Sequence, residues 1–244
     1  MKHSMPYFLA SEPILKNSEF ELEGEEAFHL KLSHRVQVGE QVKIQDPNGV
    51  RYVCEVVKVG TKTLRLKSLQ QLVVPEEPVP HVTLFQSVVS EKALDFILQK
   101  STELGANAIV LFYPDHVAAK LSLERQALKA KRYQKILWES AKQSERVRPP
   151  VLFIAATMQE LFFQLKVLDI VLVLDKSGVK FNPSHIETVK NIGVVVGPEG
   201  GWSLPELEKF KSLSNSQVIS LGPILLRAET AALAALVLAR NSAK

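Results

Sequence analysis

The chain has 244 residues, of which 46% are hydrophobic, 23% charged and 7% aromatic, and its formal net charge is +4. This composition excludes a disordered chain, and the length favours two domains over one or three. No run of about 18 apolar residues could span a membrane and the N-terminus lacks an apolar signal-peptide core, so we expect a cytoplasmic protein without membrane contact.

Short strands are predicted for the first part of the chain. Residues 40–45 and 50–59 alternate apolar and polar side chains around the turn Asp46-Pro47-Asn48-Gly49, in which Asn-Gly readily adopts positive φ. Residues 64–68 form a further alternating strand. The only cysteine, Cys54, lies in the second of these strands and is predicted to be a small buried core residue, because the chain offers it no disulfide partner.

A proline-rich stretch divides the chain. Residues 73–80 contain three prolines, which extend the backbone and cannot join a central strand. We therefore predict a β-rich domain over 1–72, a linker over 73–80 and a second domain over 81–244.

The second domain shows apolar strands that alternate with amphipathic helices. Strands are predicted over 81–89, 108–112, 151–156, 169–174, 191–197 and 217–222, and helices over 91–104, about 121–145, from near 203 and over 228–241. Continuous apolar strands between helices predict an α/β fold with a parallel sheet covered on both faces.

The helix over about 121–145 carries concentrated positive charge. Between Lys120 and Pro150 there are nine Lys or Arg and three Glu, a local balance of +6. An apolar stripe that includes Tyr133 and Leu137 is predicted to face the core. It leaves these basic residues on the outer surface: Lys129, Lys131, Arg132, Lys135 and Lys142. Such a face suits the phosphates of a nucleic acid, although a solvated helix face has the same pattern.

Two arginines follow this helix. Arg146 and Arg148 lie just before Pro149 and Pro150, which force the helix to end. Their guanidinium groups would project from a rigid loop, which is a suitable clamp for a nucleotide.

The segment GVVVGPEGGWSLPEL predicts a strand, a glycine-rich loop and a helix. Ser203 and Glu206 have the spacing of a capping box, and the glycines between Gly197 and Gly201 let a ligand approach the main chain at the end of the strand. A polyphosphate is disfavoured, because the loop lacks a Lys-Ser/Thr ending and Glu199 would repel phosphate. A ligand with an adenine, a ribose and a positive centre fits better. A tight turn with a helix cap is the structural alternative.

The segment SLGPILLRAETAALAAL repeats this geometry one strand later. A strand ends at Leu221-Gly222, Pro223 breaks it, and an alanine-rich helix follows. Two such corners side by side would form one cleft, with Arg227 and Glu229 at its mouth. In the structural alternative, these two side chains cap the helix or pair with each other.

The motifs FILQKSTELGA, ESAKQSERVRPP, GPEGGWS and LGPILLRAETA follow, in this order, a strand-rich domain that contains HLKLSHRVQVGEQVKI. Over nearly its whole length the chain resembles the ribosomal RNA small subunit methyltransferase E family. The resemblance implies a SPOUT-class fold with a C-terminal trefoil knot, a PUA-like barrel as the first domain, and a homodimer whose subunits complete each active site. It also implies S-adenosylmethionine as the cofactor and methylation of N3 of a uridine in the RNA of the small ribosomal subunit.

The motifs and the basic segments together give the expected site residues. The cofactor is expected to contact Leu174, Gly197, Pro198, Glu199, Gly200, Gly201, Leu221, Gly222, Leu225, Leu226 and Thr230. RNA is expected to contact His34, Arg35, Lys131, Arg132, Lys135, Lys142 and Arg148. We hypothesise that Arg146 and Arg227 hold phosphate or stabilise a uridine anion, and that Glu229 orients a partner or accepts the N3 proton.

Two positions depart from the family pattern. The family commonly has an arginine at the place of Ile224, and usually has one before the aromatic pair Tyr7-Phe8, where this chain has Pro6. Two alternatives follow: a non-catalytic RNA-binding protein of the same fold, and a methyltransferase of the same class that acts on transfer RNA. The six histidines are scattered without the spacing of zinc ligands, so we expect no metal.

Overall fold

A computed structural model describes residues 7–74, 77, 79–114 and 123–242, without the side chains of residues 123–126 and 185. The chain divides into two compact units. Unit 1 comprises Met1–Glu76 and Ala141–Arg148, and unit 2 comprises Glu77–Ser140 and Pro149–Lys244. The sequence division at 73–80 did not anticipate that residues 141–148 belong with unit 1. Pro6, and residues 75, 76 and 78 of the proline-rich stretch, lie outside the described residues.

Unit 1 is built on one five-stranded sheet with a single helix. Its strands stand in the order β1-β3-β4-β5-β2, with β1 parallel to β3 and the other neighbours antiparallel. Two register shifts in β4 bend the sheet, as bulges do, and it curls as a half-barrel. The elements are β1 (Tyr7–Leu9), β2 (Glu19–Leu22), α1 (Gly24–Leu32), β3 (Gln41–Gln45), β4 (Arg51–Val59) and β5 (Leu64–Leu72).

The core of unit 1 lies between the sheet and α1. Leu30 from the helix packs with Phe8, Ile44 and Leu64 from the strands, all nearly inaccessible to solvent. Cys54 is fully buried in this cluster, which confirms the sequence prediction. Burial raises the pKa of its thiol to about 12, so the side chain behaves as a small apolar group.

Unit 2 contains six parallel strands in the order β11-β9-β10-β6-β7-β8, which confirms the predicted α/β fold. The strands are β6 (His81–Ser87), β7 (Ala108–Phe112), β8 (Val151–Ala155), β9 (Ile170–Lys180), β10 (Asn191–Val196) and β11 (Ser216–Ser220). The helices are α2 (Glu91–Glu103), α3 (Leu123–Gln143), α4 (Met158–Leu165), α5 (Leu204–Lys211) and α6 (Ala228–Ser242), with a 3₁₀ turn at Pro183–His185.

Helices cover both faces of this sheet. On one face, residues of α2, α3 and α6 form a core cluster with β6 and β10, and on the other face α4 and α5 pack against the same strands. The buried side of α6 consists largely of alanines, at positions 228, 232, 235 and 239. Small side chains let this helix lie close to α2, β6 and β10, which it contacts in the middle of unit 2.

Strand β9 is longer than predicted and is interrupted. The apolar pattern stops at Leu174, but the strand runs to Lys180. Its pairing with β11 jumps from Val173 to Val179, so the residues between them leave the ladder as a bulge. This bulge adds a third loop at the end of the sheet where the two glycine-rich corners lie.

Within the described part of the chain, no helix is long and apolar enough to cross a membrane. The same residues contain no cluster of His, Cys, Asp or Glu that could hold a metal ion. The expected absence of a metal stays a prediction.

Candidate functional site

A cleft of about 920 Å³ opens in unit 2 at the carboxyl ends of β9, β10 and β11. Three loops line it, formed by residues 174–176, 197–202 and 221–227, together with the first turns of α2 and α6. Parallel α/β sheets bind ligands at this end of their strands, and the volume suits a small organic molecule.

The first loop joins β10 to α5, and Trp202 fixes its shape. The indole Nε1–H donates to the carbonyl of Leu174 at 3.0 Å, and the ring stacks on Phe112 with centroids 6.0 Å apart. A Cβ at Gly197 would lie 2.8 Å from the indole, so only glycine fits there. Sequence reasoning missed Trp202, because a tryptophan in a loop does not show whether it packs inward.

The helix after this loop begins as predicted. Ser203 and Glu206 form the reciprocal capping box, in which each side chain accepts a hydrogen bond from the other residue's main chain. The cap fixes where the loop ends, and therefore where its glycines face the cleft.

The second loop joins β11 to α6. Gly222 has φ of +128°, a conformation that favours glycine, and its N–H donates to Ser220 Oγ at 3.3 Å. Beyond it, Ile224 and Leu225 are 76% and 84% exposed. The loop therefore presents main chain and two apolar side chains at the mouth of the cleft.

The third loop is the bulge of β9, which the sequence did not reveal beyond Leu174. Asp175 Oδ1 accepts hydrogen bonds from the N–H and the hydroxyl of Ser177, at 2.8 and 2.6 Å. A Cβ at Gly178 would lie 2.6 Å from the main chain of Ile219, so glycine allows β9 to rejoin β11 here. The bulge places Asp175 and Lys176 in the lining of the cleft.

Charged groups of both signs line the cleft: Lys92, Asp175, Lys176, Glu199, Arg227 and Glu229. Among the described residues, the side chains of Arg227 and Glu229 make no hydrogen bond or ion pair. They therefore neither cap α6 nor pair with each other, and both face the cleft with their polar groups available.

The geometry suits a ligand that contacts main chain and carries positive charge. A Cβ built at Gly200, Gly201 or Gly222 meets nothing within 4 Å, so these stretches of backbone face open space. Carboxylates beside them complement a cation. The cleft includes all of the predicted cofactor residues except Thr230, an exposed residue of α6 outside the lining. It also includes Ser90, Lys92, Ala93 and Phe96 of α2, which sequence reasoning missed.

The predicted arginine loop lies in unit 1. Arg146 is half-buried and Arg148 is exposed, and the carbonyl of Arg146 accepts hydrogen bonds from the side chains of Tyr7 and Arg51. In the same unit, Arg35 is exposed with φ of 50°, and His34 lies edge-on to Phe8. Burial, and secondly the neighbouring His29, lower the pKa of His34.

Most of the predicted basic surface of α3 is exposed. Lys131, Arg132 and Lys135 are accessible, and Arg132 forms an ion pair with Asp95 of α2. The predicted exposure of Lys142 is wrong: this residue is 6% exposed, and its Nζ lies 2.8 Å from Glu26 Oε1. Its burial follows from the inclusion of residues 141–148 in unit 1, which packs a second side of the helix end.

Comparison with known proteins gives matches over most of the chain. Residues 75–240 match the RNA methyltransferase domain family, and residues 22–67 match the RNA methyltransferase PUA domain family. Ribosomal RNA small subunit methyltransferase E of Rickettsia conorii is 26% identical over 98% of this chain and 96% of its own length. The protein of the same name from Helicobacter pylori strain 26695 is 32% identical over 83% of this chain and 84% of its own length.

A solved structure shows the same architecture. Ribosomal RNA small subunit methyltransferase E from Neisseria gonorrhoeae, bound to S-adenosyl methionine, superposes with a TM-score of 0.84 at 28% identity. The match covers 96% of this chain and 95% of that protein.

Proposed function

The chain belongs to the RNA methyltransferase family that includes ribosomal RNA small subunit methyltransferase E, and from this membership we propose that it methylates N3 of a uridine in small-subunit ribosomal RNA. The methyl donor is S-adenosylmethionine, as in the related structure from Neisseria gonorrhoeae. The observation that carries the proposal is the cleft, in which exposed glycine backbone and carboxylates surround a space of about 920 Å³.

The cleft residues fit this cofactor. The main chain at Gly200, Gly201 and Gly222 is open to a ligand, which suits hydrogen bonds to an adenine and a ribose. Glu199 and Asp175 lie in the same lining and complement an ammonium or sulfonium charge. When bound, S-adenosylmethionine supplies an electrophilic methyl group. The task of the protein is to present the nucleophile in line with it.

Uridine N3 becomes nucleophilic when its proton leaves, so the protein must accept a proton and stabilise the resulting anion. We assign these roles to Glu229 and Arg227, which line the cleft one helical step apart at the start of α6. The carboxylate accepts the N3 proton, and the guanidinium stabilises the negative charge left on the base. Neither side chain has another partner among the described residues.

RNA would be held by basic groups outside the cleft. Arg146 and Arg148, in the loop after α3, and the exposed Lys131 and Lys135 on α3 suit contacts to phosphates. His34 and Arg35 of unit 1 would extend this contact. The target uridine must be unpaired, because pairing in a duplex occupies its N3 edge.

Three further properties belong to the same proposal. We propose a homodimer, which would cover the exposed Ile224 and Leu225 at the mouth of the cleft. We propose the trefoil knot, supported by a chain that runs to β11 at the edge of the sheet and returns through α6 to its middle. We propose that the protein acts in the cytoplasm, where ribosomal subunits assemble.

The experiment that tests the function uses labelled S-adenosylmethionine and small ribosomal subunits from a strain that lacks this gene, followed by nucleoside mass spectrometry. New N3-methyluridine supports the proposal. Methylation of another nucleoside, or of transfer RNA only, replaces its substrate. Cofactor binding without methyl transfer to any RNA identifies a non-catalytic binder. For the base, Glu229→Gln with full turnover across pH and unchanged cofactor affinity would refute the role of Glu229.

A further inference from the structure

Three buried side chains of unit 1 hold the main chain of the arginine loop, and we propose that Tyr7, Gln45 and Arg51 are positioning residues that fix Arg146 and Arg148 for RNA binding. We call these three residues the loop seat. The proposal rests on the proposed function, because it takes the RNA-binding role of the two arginines from there. The seat residues themselves would not touch RNA.

Three hydrogen bonds join the loop seat to two consecutive carbonyl groups. The Tyr7 hydroxyl and Arg51 Nη2 both donate to the carbonyl of Arg146, the second at 2.7 Å. Gln45 Nε2 donates to the carbonyl of Val147 at 2.8 Å. A carbonyl oxygen that receives two donors has both lone pairs engaged, so the orientation of this peptide is fixed.

The loop seat is itself fixed. Arg51 Nε donates to Gln45 Oε1 at 2.8 Å, and the Arg51 guanidinium lies 3.9 Å from the centroid of the Tyr7 ring. The three side chains are 1%, 2% and 6% exposed for Tyr7, Gln45 and Arg51. Burial raises the pKa of Tyr7 in spite of the neighbouring Arg51, so the hydroxyl keeps the proton that it donates.

The backbone beside the seat is shaped to meet it. Glu145 has φ of 58°, a conformation that costs a residue with a side chain about 1 kcal/mol. It turns the chain sharply out of α3 just before Arg146. Gly49 receives Val147, since a Cβ at Gly49 would lie 2.9 Å from Val147 Cγ1.

Stability alone does not account for a charged group in this seat. The hydrogen bonds of Arg51 go to two neutral oxygens, and the described residues provide no carboxylate partner for it. Apolar side chains of similar volume often stabilise a fold as well as buried ionic ones do. A buried polar network does provide a single geometry, and here that geometry sets how Arg146 and Arg148 leave the surface.

Trypsin can report on the seat directly, because it cleaves after Arg146 only when this segment opens, and Pro149 blocks cleavage after Arg148. Native-state digestion, followed by mass spectrometry of the fragments 1–146 and 147–244, measures the opening. Tyr7→Phe removes one donor and keeps the ring, so we expect cleavage about tenfold faster. Arg51→Met removes two donors and should act more strongly, with Arg51→Lys in between.

Matched controls separate the seat from general loosening. Arg65→Met changes an exposed arginine of the same sheet, and Tyr52→Phe changes a buried tyrosine whose side chain has no hydrogen bond among the described residues. Both should digest like the unaltered protein. If Arg51→Met does not fold, Tyr7→Phe alone decides. Cleavage after Arg146 that is no faster than in the controls overturns the proposal.

The second measurement is the affinity for deproteinised small-subunit rRNA, with S-adenosylmethionine affinity and subunit KM beside it. Tyr7→Phe and Arg51→Met should weaken rRNA binding and raise KM for subunits about tenfold, with cofactor affinity unchanged. Faster cleavage with unaltered rRNA affinity would show a purely structural seat and overturn the proposal. If the unaltered protein methylates no RNA, the proposed function fails, and digestion and rRNA affinity still decide the role of the seat.

Discussion

Gly197→Ala tests whether Trp202 sets the shape of the first cleft loop. The added methyl group would lie 2.8 Å from Cε2 and 3.0 Å from Nε1 of the indole. Restoring ordinary contact moves the ring by about 0.6 Å. Such a shift would stretch the 3.0 Å hydrogen bond from Nε1 to the carbonyl of Leu174 beyond hydrogen-bond length.

The expected loss is the sum of two effects. Overpacking a well-filled site costs about 1–3 kcal/mol, and the lost hydrogen bond about 1 kcal/mol. We therefore expect the free energy of unfolding to fall by about 2–4 kcal/mol, and S-adenosylmethionine to bind more weakly, because the Leu174 and Gly197 loops move apart. Urea unfolding of the free protein and calorimetric titration with the cofactor measure the two effects.

Gly200→Ala is the matched control, because a Cβ there meets nothing within 4 Å and its φ is not positive. It should leave the free energy of unfolding of the free protein unchanged within about 0.5 kcal/mol. Trp202→Phe removes the clashing atoms, so in a double-mutant cycle the loss from Gly197→Ala should shrink. Equal stability of the two alanine variants, or strict additivity in the cycle, would refute this account of the loop.

Three further predictions concern other parts of the molecule. Ser203→Ala removes the N-cap of α5 and should lower the free energy of unfolding by about 1 kcal/mol in thermal melts, whereas the exposed Ser214→Ala should not. Cys54, with its thiol pKa raised to about 12 by burial, stays protonated in the folded state, so a thiol reagent near pH 8 should label it only as fast as the protein unfolds. Lys131→Ala and Lys135→Ala should each reduce the salt slope of rRNA binding by about 1 without changing cofactor affinity. A slope equal to that of the unaltered protein would remove α3 from the RNA surface.

The elements that sequence reasoning found are those with a complete apolar pattern. β6, β7 and β10 are continuous apolar runs, and the hairpin of β3 and β4 shows strict alternation around an Asn-Gly turn. Elements without such a pattern were missed. β1 has three residues, β2 places a single buried residue, and α1 buries only Ala27 and Leu30. Their place in the fold is fixed by partners that are distant in sequence.

The site was predictable where glycine and charge occur together in a motif, and not where tertiary contact creates it. The loops at Gly197–Gly201 and Leu221–Arg227 were found, since each follows an apolar strand. The bulge of β9 was not, because its polar residues rejoin the sheet only through the approach of Gly178 to Ile219. Lys142 was misplaced for a related reason: one apolar stripe shows one buried face, whereas the end of α3 is packed on two.

Because unit 1 is assembled from two stretches of chain, its folding is tied to the order in which the protein is made. The carbonyl that receives Tyr7 and Arg51 belongs to a residue 139 and 95 positions later in the chain. A nascent chain that has emerged only as far as residue 76 holds the strands and the guanidinium, but not the acceptor that satisfies it. An excised fragment of that length would have the same defect, so a variant such as Arg51→Met would help the isolated fragment while harming the whole protein.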